Sequence, residues 1–246
     1  MKIENWNELT EQQKKDAKNQ LKIIENFERD KIDNDTANFF KNNSYGVVKN
    51  VIDKNLTDLL YLYVKNSAFR CNFMENNYGE NNYNKAVYGS FDDKQSLGDY
   101  SKYGDMLFDT LADGLKNNIE SILDLKLLTT YSYHRLYTTG SELEIHKDRM
   151  SCEISATLCL GFNVENVNEK EYVWPFFVQD KDANKVSVNL NPGDLILYRG
   201  DKLFHWREPF LGKNHAQVFL HYNVDTEENK IRKYDERPFL GLPKKI

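Results

Sequence analysis

The feature that most constrains this chain is a series of short strand-like runs filling its second half. Eight of them lie at 127–138, 142–148, 152–161, 171–178, 185–190, 194–199, 203–208 and 214–223, separated by Gly, Asn, Asp and Pro. Short runs with turn formers between them predict a sandwich or a jelly-roll barrel. The first half has a different character. Residues 45–52 read as a strand, and Asp53 as the N-cap of a helix over 54–67. Residues 103–124 carry Leu107, Leu111, Leu115 and Ile119 at helical spacing. Residues 70–101 are rich in Asn, Tyr, Gly and Asp without periodicity, which predicts a long loop that is either functional or mobile. Ahead of all this, Leu9, Ala17, Leu21, Ile24 and Phe27 give residues 7–29 a sparse helical stripe. The expected layout is one α+β domain with a helical arm (1–44), a helical support region (45–124) and a β-roll core (125–246).

Composition narrows the function classes. The chain has 246 residues, and its 40% apolar content suffices for a sizeable core. Its net charge of −5 argues against general nucleic-acid binding, which draws on a Lys/Arg surplus. The three cysteines, Cys71, Cys152 and Cys159, lack CxxC spacing. They fit a reducing compartment and neither a disulfide framework nor a structural zinc site. The polar start has no signal-peptide core, and no apolar run reaches the ~18 residues of a membrane span. A cytoplasmic protein without membrane contact is expected. Oligomeric state is not legible.

Three segments carry the chemistry: YTTGSELEIHKDR (137–149), NPGDLILYRGDKLFHWREP (191–209) and KNHAQVFLHYN (213–223). On an extended segment alternate side chains share a face, so His146 and Asp148 can chelate one ion together. A third ligand must come from a distant strand, and His205 suits that place. Two imidazoles and a carboxylate on one side of an ion leave the opposite positions open, as iron(II) oxygenases require. An isolated His-x-Asp is commonplace; the order of all three segments gives it weight.

Tyr137-x-x-Gly140 followed by His146-x-Asp148 resembles the metal segment of prolyl-4-hydroxylase-like 2-oxoglutarate/Fe(II) dioxygenases. Pro192-Gly193-Asp194 resembles the turn before that superfamily's distal-histidine strand. His205 followed by Pro209 and Gly212 resembles its distal-histidine loop. The resemblance covers roughly residues 125–223, with a fainter echo at 45–60. It implies a double-stranded β-helix, iron held by His146, Asp148 and His205, and 2-oxoglutarate and O2 as co-substrates, with ascorbate as an optional reductant. It further implies hydroxylation of an unactivated C–H bond, on a prolyl-like peptidyl residue or a small amino-acid-like metabolite. Tyr137 matches a tyrosine that hydrogen-bonds the co-substrate. The chain departs from the pattern at His215, where the family places a Lys or Arg against the distal carboxylate of 2-oxoglutarate. Arg135, Arg207 and His215 are the alternatives for that carboxylate.

Other residues have plainer readings. His221 is expected as a satisfied core histidine, Arg149 in a salt bridge with Glu153, and Trp174-Pro175-Phe176-Phe177 as aromatic core. The competing function is a cupin-like module that binds a metal or small ligand without turnover. Loss of the basic residue at 215 favours it, and the complete His146/Asp148/His205 set opposes it.

Overall fold

The protein is described from a computed structural model covering residue 10, residues 34–167 and residues 172–243. The expected helical stripe at 7–29 lies outside the described residues except for Thr10. The described chain begins with α1 (Asn34–Asn43) and β1 (Tyr45–Val48), followed by α2 (Lys54–Tyr78), α3 (Asn82–Tyr88), β2 (Tyr100–Tyr103) and α4 (Met106–Leu123). The strands β3 (Leu127–Thr138), β4 (Leu143–His146), β5 (Ile154–Asn163), β6 (Phe176–Gln179), β7 (Lys185–Val188), β8 (Leu195–Tyr198), β9 (His205–Arg207) and β10 (Asn214–Val224) complete the roll. Short 3-10 segments occupy Met150–Cys152 and Glu228–Glu236.

Every strand pairing is antiparallel. Six strands form one sheet in the order β1-β8-β5-β10-β3-β2, and four form a second in the order β4-β9-β6-β7. All eight runs expected from the sequence contain a strand, mostly shortened at the ends. The run at 171–178 begins only at Phe176, beyond Pro175, which cannot donate a ladder hydrogen bond. The start of the run at 152–161 is taken by the 3-10 turn, so β5 begins at Ile154.

Helix α2 starts where Asp53 caps it: its Oδ1 accepts from the N–H groups of Asn55 (2.8 Å) and Leu56 (3.0 Å). It buries Thr57, Leu60, Val64, Ala68 and Cys71, a stripe at 3.6-residue spacing. The helix runs on to Tyr78 and stops at Gly79, whose φ of +75° suits glycine. The long loop expected at 70–101 is therefore corrected. Its first third continues α2, α3 follows after a short break at 79–81, and a longer loop remains at 89–99. The Asn-rich end of α2 is solvent-exposed, so it shows no apolar period from which a helix could be read. In α4 the period is as expected but the phase is turned. Phe108, Ala112, Leu115 and Ile119 are buried, whereas Leu107 is 40% exposed.

These helices cover the outer face of the large sheet. There Ala156, Leu158 and Leu160 of β5 join Ala216, Val218, Leu220 and Tyr222 of β10 in the main core. The opposite face of the same strands turns into the roll. The period of two in β10 thus separates packing from chemistry, with Gln217, Phe219 and His221 directed inward.

Candidate metal centre

Strand register brings the key residues together. His146 on β4 pairs directly with His205 on β9, so two histidines far apart in sequence become cross-strand neighbours. Their ring centroids lie 4.2 Å apart. Asp148 follows β4 and is fixed by its backbone N–H, which donates to the Gly200 carbonyl at 2.8 Å. Its Oδ1 stands 3.6 Å from His146 Nε2 and 3.5 Å from His205 Nε2. One donor atom from each of the three lies within 4.8 Å of the others.

Each imidazole is aimed by its other nitrogen. His146 Nδ1 donates to the Glu144 carbonyl (2.7 Å) and His205 Nδ1 to the Leu203 carbonyl (2.9 Å), which leaves both Nε2 atoms free as ligands. His205 is 1% exposed and stacks on Phe176. Asp148 Oδ2 accepts from Ser155 Oγ at 2.7 Å, and Ser155 in turn meets His221 Nδ1 at 3.0 Å. Gly200 makes this approach possible, because a Cβ there would strike Asp148 Oδ2, Ser155 Oγ and the Cys152 carbonyl. Burial by itself would raise the Asp148 carboxyl. The influence of His146 and His205, whose Nε2 atoms face its Oδ1, outweighs burial and holds the group well below the usual carboxylate range, hence ionised. Burial pulls His221 down to about 4, so at neutral pH it is an uncharged partner of Ser155.

A cavity of about 250 Å³ opens onto these three side chains. Tyr131, Tyr133 and Arg135 of β3 line it, with Phe219 and His221 of β10 and, from the loop at 89–99, Asp93 and Gln95.

Arg135 lies in this cavity wall already paired. Its Nε donates to Asp93 Oδ2 at 2.9 Å, its NH2 reaches both Asp93 and Gln95, and its NH1 donates to the Tyr137 hydroxyl at 3.2 Å. Burial works against its charge, and Tyr137, Tyr133 and Asp93 more than restore it.

Arg207 is different. It is 2% exposed and donates only to neutral acceptors, the Trp174 carbonyl (2.6 Å) and Gln217 Oε1 (2.8 Å). Its Nε has no partner, and no carboxylate among the described residues pairs with it. Burial pulls its pKa down to about 10. Gln217 and Tyr137 join the two arginines into one chain, since Gln217 Nε2 approaches the Tyr137 hydroxyl at 3.5 Å. Two guanidinium groups and one carboxylate, Asp93, leave this buried chain one positive charge in excess.

His215 pairs across the sheet with Tyr137, its Nδ1 unpartnered. Burial, then the Arg207 charge, keep its pKa well below the ordinary histidine value. It is a neutral ring, packed against Phe162 and Trp174, and cannot replace a cation.

The Arg149–Glu153 pair expected from the sequence does not form. Arg149 instead makes a two-pronged bridge to the buried Asp235 (2.7 Å to each oxygen), and Glu153 pairs with Arg199. Trp174 sits in aromatic core with Tyr137 and Phe210, as expected. Sequence reasoning missed Asp93, Gln95, Ser155 and Gln217. Gln217 alternates with apolar residues along its strand, which marks its face but not its partner. Asp93 and Gln95 lie in an aperiodic stretch that gives no signal, and Ser155 is one serine among many.

No family model matches the sequence. No curated protein matches it either. Solved structures do, at low identity. A prolyl-4-hydroxylase from Pseudomonas putida superposes with a TM-score of 0.53 at 14% identity, over 78% of this chain and 99% of that one. HygX from Streptomyces hygroscopicus, solved with nickel, 2-oxoglutarate and hygromycin B, gives 0.54 at 12% identity over 78% and 87%. A Trichoplax adhaerens prolyl hydroxylase, in complex with a hypoxia-inducible-factor peptide fragment, gives 0.52 at 15% identity over 81% and 91%. This chain therefore has the double-stranded β-helix fold of the 2-oxoglutarate/Fe(II) oxygenases.

Proposed function

We propose that the protein is an Fe(II)- and 2-oxoglutarate-dependent oxygenase that hydroxylates an unactivated C–H bond of a peptidyl residue or a small amino-acid-like metabolite. The observation that carries the reading is the convergence of His146, Asp148 and His205 beside a buried, anion-deficient arginine chain. Two imidazoles and an ionised carboxylate suit iron(II) and leave coordination positions free. Donors around an ion at ~2.1 Å and near right angles stand about 3 Å apart, so the observed 3.5–3.6 Å separations need only a small inward shift.

The excess positive charge fits the dicarboxylate. A fully buried guanidinium without a counter-ion is costly, and a bound carboxylate removes that cost. Arg207 is thus the preferred partner of the distal carboxylate, with Tyr137 as an additional donor. Arg135, already neutralised by Asp93, is the lesser candidate, and the neutral His215 is set aside. Bound iron with 2-oxoglutarate and O2 supplies the oxidising power for C–H cleavage, with loss of CO2 and formation of succinate. The chain's own part is to fix the ligand atoms, hold Asp148 ionised through Ser155 and the two histidines, and offer apolar cavity wall from Leu143, Tyr198 and Phe219. The module that binds a metal or small ligand without turnover is disfavoured, because the His146/Asp148/His205 set is complete and the solved structures sharing this fold include 2-oxoglutarate-dependent hydroxylases.

No described helix is long and apolar enough to cross a membrane, and all three cysteines are unpaired. Both features suit the reducing cytoplasm, where we place the protein. The decisive experiment measures succinate release and oxygen uptake with iron(II) and 2-oxoglutarate, alongside nickel(II) binding. Wild type should show all three. His146→Ala and Asp148→Ala should lose them while staying folded by circular dichroism. Retained turnover in either variant refutes the assignment.

A further inference from the structure

Beyond the metal ligands, the most unusual wall of the cavity is the Asp93–Arg135 ion pair. The loop at 89–99 is pinned at both ends. Ser90 and Ser101 exchange backbone hydrogen bonds at 2.9 Å each, and Asp99 Oδ1 accepts from the Thr138 N–H (2.9 Å) and Ser141 Oγ (2.7 Å). Gly98 N–H closes the loop onto the Phe91 carbonyl at 2.9 Å. The tip, Asp93 to Gln95, is thereby held against the cavity as a preset surface.

The pair is not saturated. Asp93 Oδ2 takes the Tyr133 hydroxyl (2.6 Å) and the Arg135 guanidinium, whereas Oδ1 accepts only the Gln95 N–H at 3.0 Å. Arg135 NH1 uses one of its two hydrogens, toward Tyr137. This ion pair therefore retains acceptor capacity on the carboxylate and one donor hydrogen on the guanidinium. Such a pair is a fixed dipole of zero net charge. A ligand bearing a single charge would leave that charge uncompensated in a buried place, while a zwitterion lying antiparallel satisfies both ends. Size points the same way. The cavity of about 250 Å³ must also admit 2-oxoglutarate at the metal and lies below the ~300–1,000 Å³ of pockets for drug-sized ligands, so the room left suits only a compact second molecule.

We infer that the primary substrate is a free α-amino acid, its ammonium received by Asp93 and its carboxylate by Arg135 and Gln95. The inference rests on the oxygenase reading and chooses within it against a peptide, whose backbone carries neither charge.

The test titrates each standard free amino acid, its N-acetyl form and its amide into protein loaded with nickel(II) and 2-oxoglutarate. Heat of binding is the first readout, and stimulation of succinate release by the iron(II) enzyme is the second. At least one free amino acid should bind about tenfold more tightly than either of its capped forms, the effect of one charge-assisted hydrogen bond. Asp93→Asn should erase the preference over the N-acetyl form and keep that over the amide. Arg135→Gln should do the reverse, a crossed pattern that misfolding cannot produce. Equal binding of capped forms, or no binding by any free amino acid, overturns the inference. If succinate still forms in that case, the oxygenase reading survives. If a free amino acid binds selectively but succinate never forms, that reading fails and the recognition site stands.

Discussion

At the scale of single residues, function depends on where charge is left unbalanced. Arg207 carries a buried charge whose hydrogen-bond acceptors among the described residues are a carbonyl and an amide oxygen, with the Trp174 and Phe176 rings against its guanidinium. Replacing it with Gln should raise the half-saturating 2-oxoglutarate concentration tenfold or more while leaving nickel(II) affinity near wild type, because the metal ligands are untouched. A steeper effect at Arg135→Gln in the same titration would move the clamp to that residue. Ser155 acts through another group: it donates to the Asp148 oxygen that faces away from the histidines. Ser155→Ala should weaken metal binding about 10- to 100-fold, as loss of a hydrogen bond behind a ligand does. Calorimetry with nickel(II) measures this, and Ser155→Thr, which keeps the hydroxyl, should restore part of the loss.

At the scale of elements, register does most of the positioning. The β4–β9 pairing sets His146 opposite His205, and the β3–β10 pairing sets Arg135 opposite Gln217 and Tyr137 opposite His215. A slip of one residue would turn each of these side chains to the other face. The helices serve as backing. α2 is anchored by the Asp53 cap, so Asp53→Ala should destabilise the protein by about 1 kcal/mol. Thermal unfolding should show this as a lower Tm with metal affinity unchanged; a parallel loss of metal affinity would mean that α2 does more than support the sheet. The cap was legible because a helix start is local chemistry. The continuation of α2 past residue 70 was not, since that stretch faces water and has no apolar period.

At the scale of the molecule, buried titratable groups set how stability depends on pH. His134 is fully buried between Tyr100 and Phe108 with neither ring nitrogen hydrogen-bonded, and burial pushes its pKa down to about 3. The unfolded chain takes up a proton near pH 6.5, whereas the folded one does not until about pH 3. Stability from this group is therefore full above pH 6.5 and falls as pH drops toward 3, by roughly 1.4 kcal/mol per pH unit. His134→Leu should flatten the fall in Tm of the metal-free protein between pH 6 and about 4. An unchanged slope would show that other groups govern acid unfolding.

The sequence by itself determined the short strands, the capped helix and the three residues able to share an ion. All of these follow from local periodicity, turn chemistry and ligand type. Only the tertiary structure decided which arginine is neutralised and which is left without an anion, because that depends on Asp93 arriving from a loop whose sequence has no pattern. It likewise decided that Arg149 meets Asp235 and that Ser155 stands behind Asp148. Such pairings join residues distant along the chain, and no spacing rule records them.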